Sequence, residues 1–450
     1  MLLPPTMTGE SQDPDIGPFG DPAAEILAGR IWVDGCWDFF HYGHAGAMLQ
    51  ARQLGTELYV GIHSDESILE NKGPTVMTLE ERIAAVDACR WVTRSVPHAP
   101  YVTSLPWISH YGCKYVVHGD DITSDSNGED CYRYVKAAGR FKVVKRTPGI
   151  STTDLVGRML LCTRTHFMKP LATIFDEQDS PESTEKADSL LLQIRSFAQD
   201  ETGLSAGVSA WMWSDPLQAT KGLPEQQDIV FRLLVPGSSP KPGQRIVYVD
   251  GGFDLFSSGQ IEFLRLVVQT EQENAKQRGW FSEVEVQERI RQHGSDYGPV
   301  FIVAGIHDDE VINYWKGLNY PIMNILERGL CVLQCKYVDL VIFGAPFAPT
   351  RDYLTKCPWG SPDAVYHGPT SFIPLNFDPY SDAKEMEIYH EIGPHPFSQV
   401  NAGEIVQRIL RSRCLYEERQ RIKNAKGIIE KASLHREKAE ESNSERRENH

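Results

Sequence analysis

One stretch of the sequence decides the fold: Ile31-Trp32-Val33-Asp34-Gly35-Cys36-Trp37-Asp38-Phe39-Phe40-His41-Tyr42-Gly43-His44. Its apolar start predicts a buried strand, and the residues after it, 45–54, have the period of a helix. The two histidines therefore lie at a helix N-terminus, where unpaired N–H groups and the helix dipole favour anions. Gly43 allows close approach of the backbone. The stretch predicts a cradle for a polyphosphate, with core or metal-binding histidines as the alternative.

Further apolar runs at 58–62, 115–117 and 142–144 alternate with stretches of helical period. Short, continuously apolar strands that alternate with helices are typical of a parallel sheet covered by helices. The sequence therefore predicts an α/β domain.

Four segments of the first half return in the same order in the second half. Residues 33–40 match 249–256, 60–66 match 304–310, 72–73 match 316–317, and 153–158 match 403–408. Ordered repetition of this kind indicates a duplicated domain.

The residues between the two copies differ in composition from both. An acidic stretch at 176–183 and a Pro/Gly-rich one at 236–243 favour a linker, although Ala210-Trp211-Met212-Trp213 suggests that it packs in places. We divide the chain into a flexible lead (1–24), a first domain (25–165), a linker (166–243), a degenerate second domain (244–415) and a charged tail (416–450).

The composition sets limits on partners and compartment. The 450 residues carry a formal net charge of −16, which argues against a nucleic-acid-binding face. The start, Met1-Leu2-Leu3-Pro4-Pro5, lacks the features of a signal peptide, and no apolar run is long enough to span a bilayer. The nine cysteines are scattered without a C-x-x-C pair, as expected in a reducing compartment. We expect a cytoplasmic protein whose association with membranes is at most peripheral.

A second motif, Arg146-Thr147-Pro148-Gly149-Ile150-Ser151-Thr152-Thr153, also follows a predicted strand and leads into a predicted helix. Three hydroxyls, a glycine and an arginine at a helix start suit phosphate oxygens. Ser and Thr are also good N-caps, so a purely structural cap is the alternative.

Together the two motifs carry a resemblance to a known family. Residues 41–44 resemble the H-x-G-H motif of the nucleotidyltransferase superfamily, and 146–153 resemble the R-T-x-G-I-S-T-T signature of its cytidylyltransferase branch. The string 34–44, the segment 114–121 and the tandem layout are similar to the ethanolamine-phosphate members of that branch. The resemblance implies an α/β fold with two tandem Rossmann-like nucleotidyltransferase domains, each a parallel sheet covered by helices.

The same resemblance implies an enzyme that transfers the cytidylyl group of CTP to phosphoethanolamine and releases pyrophosphate. The alternatives are phosphocholine or glycerol 3-phosphate as the acceptor, or a non-catalytic protein that binds CTP. Mg²⁺ is implied by the triphosphate and not by any ligand cluster in the sequence, so its protein ligands stay unassigned. The duplication implies an internal pseudo-dimer of the two domains and is compatible with a homodimer of the whole chain.

The resemblance also assigns roles to single residues. The catalytic contacts to the triphosphate come from His41, His44, Lys72 and Arg146. Further contacts to CTP come from Gly35, Trp37, Arg82, Trp91, Asp120, Asp121, Gly149, Ile150, Ser151, Thr152 and Thr153. Asp38 is assigned to the ammonium group of phosphoethanolamine. A structural carboxylate bonded to the backbone is the alternative for Asp38, because Asp254 keeps this residue type in the second copy.

The second copy departs from the motifs of the first. The positions of the two histidines carry Ser257 and Gln260, the segment around 149–153 becomes 397–402, and we align Asp120-Asp121 with Ala345-Pro346. These changes remove both imidazoles, three hydroxyls and two acids. We therefore expect the second domain to keep the fold and to lack catalysis.

Overall fold

In the computed structural model, two α/β halves follow each other along the chain, each built around one sheet. The structure describes residues 25–121, 123–177, 179–214, 230–317, 319–368, 375–417 and 421. The predicted lead (1–24) and nearly all of the predicted tail (416–450) lie outside the described residues.

The first half is one parallel sheet with helices packed on it. Its strands are β1 (Leu27–Gly35), β2 (Glu57–His63), β3 (Arg94–Ala99), β4 (Cys113–Gly119) and β5 (Phe141–Val144). Its helices are α1 (Tyr42–Arg52), α2 (Asp65–Lys72), α3 (Leu79–Asp87), α4 (Leu105–His110), α5 (Arg133–Ala137) and α6 (Thr152–Leu161). The strand order is β3-β2-β1-β4-β5, and every neighbouring pair is parallel. Because Ile31, Trp32 and Val33 of the central strand are all buried, both faces of the sheet are covered.

The segment between the halves is folded as well. It holds the helices α7 (Leu171–Asp176) and α8 (Pro181–Phe197) and the strands β6 (Ser209–Ser214) and β7 (Val230–Val235). Helix α8 begins with a capping box at Ser180 and buries Ala187, Leu190 and Ile194 at helical spacing.

The second half repeats the plan of the first. Its strands are β8 (Arg245–Gly251), β9 (Val300–Ile306), β10 (Leu340–Phe343), β11 (Ala364–His367) and β12 (Tyr389–Glu391). A 3₁₀ turn (Asp254–Phe256) precedes the helices α9 (Ser258–Gln277), α10 (Glu283–His293), α11 (Asp309–Lys316), α12 (Ile325–Leu333), α13 (Arg351–Thr355), α14 (Ser381–Glu385) and α15 (Ala402–Arg411). The strand order is β12-β11-β8-β9-β10-β6-β7. Its first five strands therefore correspond to β5-β4-β1-β2-β3, and the expected α/β fold with two sheets is confirmed.

The last two strands of the second sheet come from the segment that we predicted as a linker. Strand β6 pairs in parallel with β10, and β7 pairs with β6 in the antiparallel sense. The apolar stretch 210–213, from which the sequence predicts packing, lies in β6. Without β6 the fully buried strand β10 would be a sheet edge with unpaired backbone groups. The linker prediction for 166–243 is therefore corrected at 209–214 and 230–235, because these residues complete the second sheet.

The turn between the first strand and the first helix has two matching positive φ angles in the two halves, and Phe256 of the second half adds a third at 36°. Trp37 and Phe39 have φ angles of 61° and 50°, and their counterparts Phe253 and Leu255 have 47° and 60°. Positive φ is uncommon for bulky residues. Because it occurs at equivalent positions in both halves, this strained turn is a feature of the fold and not of one site.

Matched contacts join the two halves. Arg158 of α6 pairs with Glu327 of α12 at 2.7 Å, and Arg408 of α15 pairs with Glu81 of α3 at 2.7 Å. Each arginine lies in the matched segment near the end of its repeat, and each glutamate closes the capping box of its helix. Between these pairs an antiparallel bridge brings Cys89 next to Cys335.

No helix in the described ranges combines the length and the apolarity that crossing a membrane requires.

Candidate functional site

The two histidines of the first motif lie together at the start of α1. Nδ1 of His41 accepts the backbone N–H of Gly43 at 3.1 Å, so His41 is the N-cap of the helix. The rings of His41 and His44 are stacked with their centroids 3.9 Å apart. Because Nδ1 of His41 accepts a hydrogen bond, the proton of the neutral ring is on Nε2, which is then a donor.

Gly43 is required by this packing. A Cβ atom at position 43 would lie 2.8 Å from Nδ1 of His41 and 2.9 Å from Cγ2 of Ile150. The glycine of the first motif therefore lets two groups approach the helix start at once: the imidazole that caps α1 and the loop that contains the second motif.

The second motif forms the start of α6, as predicted. Ser151 is the N-cap and its hydroxyl accepts the N–H of Asp154 at 3.0 Å. Gly149 has a φ of 90°, which favours glycine. The Tyr42 hydroxyl donates to the Pro148 carbonyl at 3.3 Å, and the Thr152 hydroxyl donates to the Asp38 carbonyl at 3.4 Å. These bonds tie the two motifs together, so two helix N-termini converge on one place.

Asp120, Asp121 and Arg146 meet where β4 and β5 end. The backbone N–H of Arg146 donates to Oδ1 of Asp120 at 3.3 Å, and its guanidinium lies 3.8 Å from Oδ2 of Asp121. Both side chains of that ion pair are about half exposed, with fractions of 54% and 52%. An exposed pair of this kind is weak, so the guanidinium can turn to a phosphate at little cost.

Gly35 ends β1, Trp37 lies between β1 and α1, and Lys72 is the last residue of α2. Nζ of Lys72 is 5.6 Å from the centroid of the Tyr101 ring, within the range of a cation–π contact. The Trp37 indole N–H donates to the Gly61 carbonyl at 2.8 Å, and its ring lies edge-on to His44 at 5.4 Å. A Cβ atom at Gly35 would be 3.0 Å from that indole. Trp37 therefore supports His44 from the core side.

Arg82 and Trp91 lie in the protein interior and have structural contacts there, and their predicted contact with the nucleotide stays a prediction. The Arg82 guanidinium donates to the carbonyls of Cys36 and His63, and it pairs with Asp65 at 2.6 Å. The indole N–H of Trp91 donates to the Asp200 carbonyl at 3.0 Å. Both residues are almost fully buried, and their hydrogen bonds hold neighbouring segments of the fold together.

Asp38 also has a structural place, as in the alternative for this residue. Its carboxylate accepts the N–H groups of Val76 and Met77, at 3.0 and 2.9 Å. Asp254 accepts those of Ile322 and Met323 in the same way, at 2.8 and 2.9 Å. The carboxylate of Asp38 is therefore buried and anchors the loop before α3, and its contact with the ammonium group of phosphoethanolamine stays a prediction.

The second half has a different chemistry at the start of its helix. The backbone N–H of Ser257 donates to Oε1 of Gln260 at 2.9 Å, and the Ser257 hydroxyl donates to the Val400 carbonyl at 2.6 Å. Both polar side chains are thus used to cap α9 and to fix the loop before α15.

Our alignment of Asp120-Asp121 with Ala345-Pro346 is wrong. Asp120 follows β4, whose counterpart is β11, whereas Ala345 follows β10, the counterpart of β3. Nδ1 of His63 bonds the Ala99 carbonyl at 3.1 Å, and Nδ1 of His307 bonds the Ala345 carbonyl at 3.0 Å. Ala345-Pro346 therefore matches Ala99-Pro100, and the true counterparts of the two acids, Pro369 and Thr370, lie outside the described residues.

Sequence reasoning missed Tyr42 and the pair Arg158–Glu327, which support the second motif from two sides. Arg158 and Arg408 are the last residues of the final matched segments. An arginine kept at the same position in both copies was the signal that could have identified this contact. Among the described residues no cluster of three or more histidine, cysteine or acidic side chains could hold a metal ion.

Comparison with known proteins agrees with this geometry. The family described as cytidylyltransferase-like matches residues 32–158. The ethanolamine-phosphate cytidylyltransferase of Mus musculus is 38% identical over 407 residues, which cover 89% of this chain and 90% of the mouse protein. The ethanolamine-phosphate cytidylyltransferase of Dictyostelium discoideum is 39% identical over 403 residues, 89% of this chain and 95% of that protein.

The choline-phosphate cytidylyltransferase A of Rattus norvegicus is 40% identical, but only over 133 residues, 29% of this chain and 36% of the rat protein. Similarity to the two ethanolamine-phosphate proteins extends instead over both halves and the segment between them. The chain is therefore a nucleotidyltransferase and belongs to the ethanolamine-phosphate cytidylyltransferase family.

Proposed function

We propose that the first half transfers the cytidylyl group of CTP to phosphoethanolamine and releases pyrophosphate. A phosphate oxygen of phosphoethanolamine attacks the α-phosphorus of CTP, and the bond from that phosphorus to the oxygen bridging to the β-phosphate breaks. No protein nucleophile takes part, so the catalytic effect comes from positioning two anions and stabilising the charge on the transferring group.

The observation that carries this proposal is the stacked pair His41 and His44 at the N-terminus of α1, tied to the N-terminus of α6. Nε2–H of His41 is a donor to a phosphate oxygen, and it is held in place because Nδ1 is already used in the cap. A donor held in place before the reaction stabilises charge that develops in the transition state. Lys72 and Arg146 add positive charge from the two sides of the site.

Mg²⁺ accompanies CTP in this proposal and adds positive charge to the triphosphate. Since the described residues form no cluster of three or more ligand side chains, the ion takes most of its oxygen ligands from the triphosphate and water. The carboxylates of Asp120 and Asp121 are the acidic groups of the site that are available to it, because that of Asp38 already accepts two backbone N–H groups.

The second half does not catalyse the transfer in this proposal, and it packs on the first as an internal pseudo-dimer. The hydrogen bonds of Ser257 and Gln260 support the first statement, because the side chains that replace the histidines bond to the protein itself. The ion pairs Arg158–Glu327 and Arg408–Glu81 support the second, because they join equivalent positions in opposite directions.

The test measures pyrophosphate release from CTP by the full-length protein with phosphoethanolamine, phosphocholine or glycerol 3-phosphate as the acceptor. We expect a clear preference for phosphoethanolamine. Equal rates with phosphocholine would contradict the acceptor, and no release with any acceptor would contradict the catalytic role. Residual turnover of the variant His41→Ser/His44→Gln that is abolished by the further substitution Lys316→Ala in the second half would contradict the inactivity of that half.

A further inference from the structure

Packing alone holds Lys72 only loosely. Lys72 is the last residue of α2, a helix that the structure describes in full and that buries only Ile68. The next residue, Gly73, has a φ of 89°, in the region that favours glycine. The chain then continues as an irregular loop to Thr78, the N-cap of α3. We call residues 73–78 the Lys72 loop. Because α2 has so little buried surface, the position of its last residue depends on the polar contacts of this loop.

The second half supplies two of these contacts. The chain that follows α15 contains Tyr416, which is buried. The Tyr416 hydroxyl donates to the Thr75 carbonyl at 3.0 Å. Arg408 of α15 donates to the next carbonyl, that of Val76, at 3.4 Å. Two side chains of the second half therefore bond to neighbouring carbonyls in the middle of the Lys72 loop.

Contacts within the first half use the other backbone groups of the same loop. Asp38 accepts the N–H groups of Val76 and Met77. The carbonyl oxygens of Thr75 and Val76 take their donors from the second half instead. Since backbone donors and acceptors of a folded chain are nearly all paired, the two sets of bonds complete each other. The conformation of the Lys72 loop is thus fixed from both halves.

The matching contact exists in the opposite direction. His166 follows α6 and, like Tyr416, lies eight residues after the arginine of the last matched segment. Its Nε2 is 2.9 Å from the Pro321 carbonyl of the second half. A carbonyl can only accept, so this nitrogen carries the proton and donates. The loop that His166 holds follows Lys316, for which no reaction is proposed. The chain therefore contains its own control for the contact of Tyr416.

We propose that Tyr416 is a positioning residue for the reaction of the first half, because it holds the Lys72 loop where the Lys72 ammonium group reaches the triphosphate. This inference rests on the proposed function, in which Lys72 acts on CTP. The C-terminal end of the second half contributes to the first site in this way without touching a substrate. When the bond to Thr75 is lost, Lys72 samples more positions, and fewer molecules have the geometry that the transition state requires.

The first experiment compares Tyr416→Phe with His166→Phe in the full-length protein, by pyrophosphate release with CTP and phosphoethanolamine. Tyr416→Phe removes one hydroxyl and keeps the buried ring, so kcat/KM for CTP should fall about fivefold, the order of a single hydrogen bond. His166→Phe removes the matched bond and should stay within about twofold of the wild type. Unchanged activity in Tyr416→Phe, or equal losses in both variants, would overturn the proposal. Thermal unfolding is the control for folding.

A double-variant cycle tests whether Tyr416 acts through Lys72. Lys72→Met alone should lower kcat/KM by about tenfold or more, because a charged contact to the triphosphate is lost. Adding Tyr416→Phe should then cost less than about twofold, since the loop no longer carries the group to be positioned. A merely structural role would give the same fivefold loss in both backgrounds, and that result would overturn the proposal.

Amide hydrogen exchange tests the contact independently of activity. In Tyr416→Phe the exchange of residues 73–78 should be about fivefold faster than in the wild type, and that of residues 319–322 should be unchanged. His166→Phe should give the reverse pattern. Unchanged exchange at 73–78 would overturn the proposal even if turnover falls. If the wild type releases no pyrophosphate, the proposed function fails, and faster exchange in Tyr416→Phe would still show that Tyr416 holds the loop.

Discussion

Helices α1 and α9 begin after turns that share two positive φ angles, but their first residues differ in chemistry. His41 caps α1 through Nδ1 and carries a second ring nitrogen, Nε2. In the second half, Oε1 of Gln260 caps α9 and the Ser257 hydroxyl donates to the Val400 carbonyl. The fold requires only a cap at this position. In the proposed reaction, the two halves differ because only an imidazole cap carries a second ring nitrogen that can contact the triphosphate.

Buried residues of the same type at equivalent positions in both halves serve the fold and not the proposed reaction. Arg82 and Arg328 each donate to carbonyls at the ends of the two central strands, and each pairs with an aspartate at the start of the next helix. Such a residue serves the fold, because it is kept where the histidines are lost.

The difference between the two helix starts is tested most directly by replacing the capping residues of α1 with those of α9. His41→Ser/His44→Gln should remain folded, because Ser and Gln form a capping box. Pyrophosphate release should fall by about 100- to 1000-fold, the loss expected when a preorganised donor is removed. Thermal unfolding is the control. Near-normal turnover would show that the histidines do not act on the transition state.

The matched ion pairs test how far the halves depend on each other. Glu327→Gln removes the buried partner of Arg158, which keeps only the half-exposed Asp154 at 2.8 Å, and should lower the free energy of unfolding by about 2 kcal/mol. Because Arg158 is on the helix that starts with Ser151, turnover should fall too. Glu81→Gln should cost less, since its partner Arg408 has a side chain that is 24% exposed. Chemical denaturation measures the loss of unfolding free energy in both variants, and equal losses would contradict this difference.

Gly43→Ala tests the close packing of the two motifs. The new methyl group displaces His41 or Ile150, so the activation free energy should rise by about 2 kcal/mol, roughly 30-fold in turnover. Gly157→Ala in α6 is the control, because a Cβ atom there meets nothing within 4 Å. Gly259→Ala would instead contact backbone oxygens of Phe397 and Val400, and it should lower stability more than turnover. Unchanged turnover in Gly43→Ala would refute the tight contact.

The aspartates at the ends of β1 and β8 should respond differently to pH. With a pKa of about 7, Asp250 holds its proton in the folded state between about pH 4 and pH 7, whereas the unfolded chain has lost it. Its contribution to the free energy of unfolding therefore falls as the pH rises through this window. Since Asp250 keeps some solvent contact, Asp250→Asn should gain about 1 kcal/mol over the wild type from pH 5 to pH 8.

The matched variant Asp34→Asn should have the opposite sign at pH 8. Its amide N–H group would face the donors Trp32, Thr103 and Tyr132, so the free energy of unfolding should fall. Urea denaturation at each pH checks both variants. A gain for Asp250→Asn that does not change with pH would contradict the raised pKa.

The sequence predicts the two sheets and both motifs because they depend on local patterns: apolar runs, helix starts and an ordered repeat. It does not predict that Arg82 and Trp91 face the interior, since the same residue types bind nucleotides or backbone carbonyls. Asp38 could have been assigned from Asp254, and Arg82 from Arg328, because a residue that survives in a copy without histidines serves the fold. Strand β6 was missed because its pairing with β10 joins residues that are far apart in the sequence.

That pairing has a consequence for how the protein is made. Strand β6 ends at Ser214, and its parallel partner β10 starts at Leu340, so about 125 residues are synthesised between them. At about 5–20 residues per second the ribosome takes roughly 6–25 s to deliver the partner. During that interval the finished first half waits beside a strand with an open edge. A chaperone that shields this edge, or slow codons before 340–343, would change the yield of folded protein without changing its sequence.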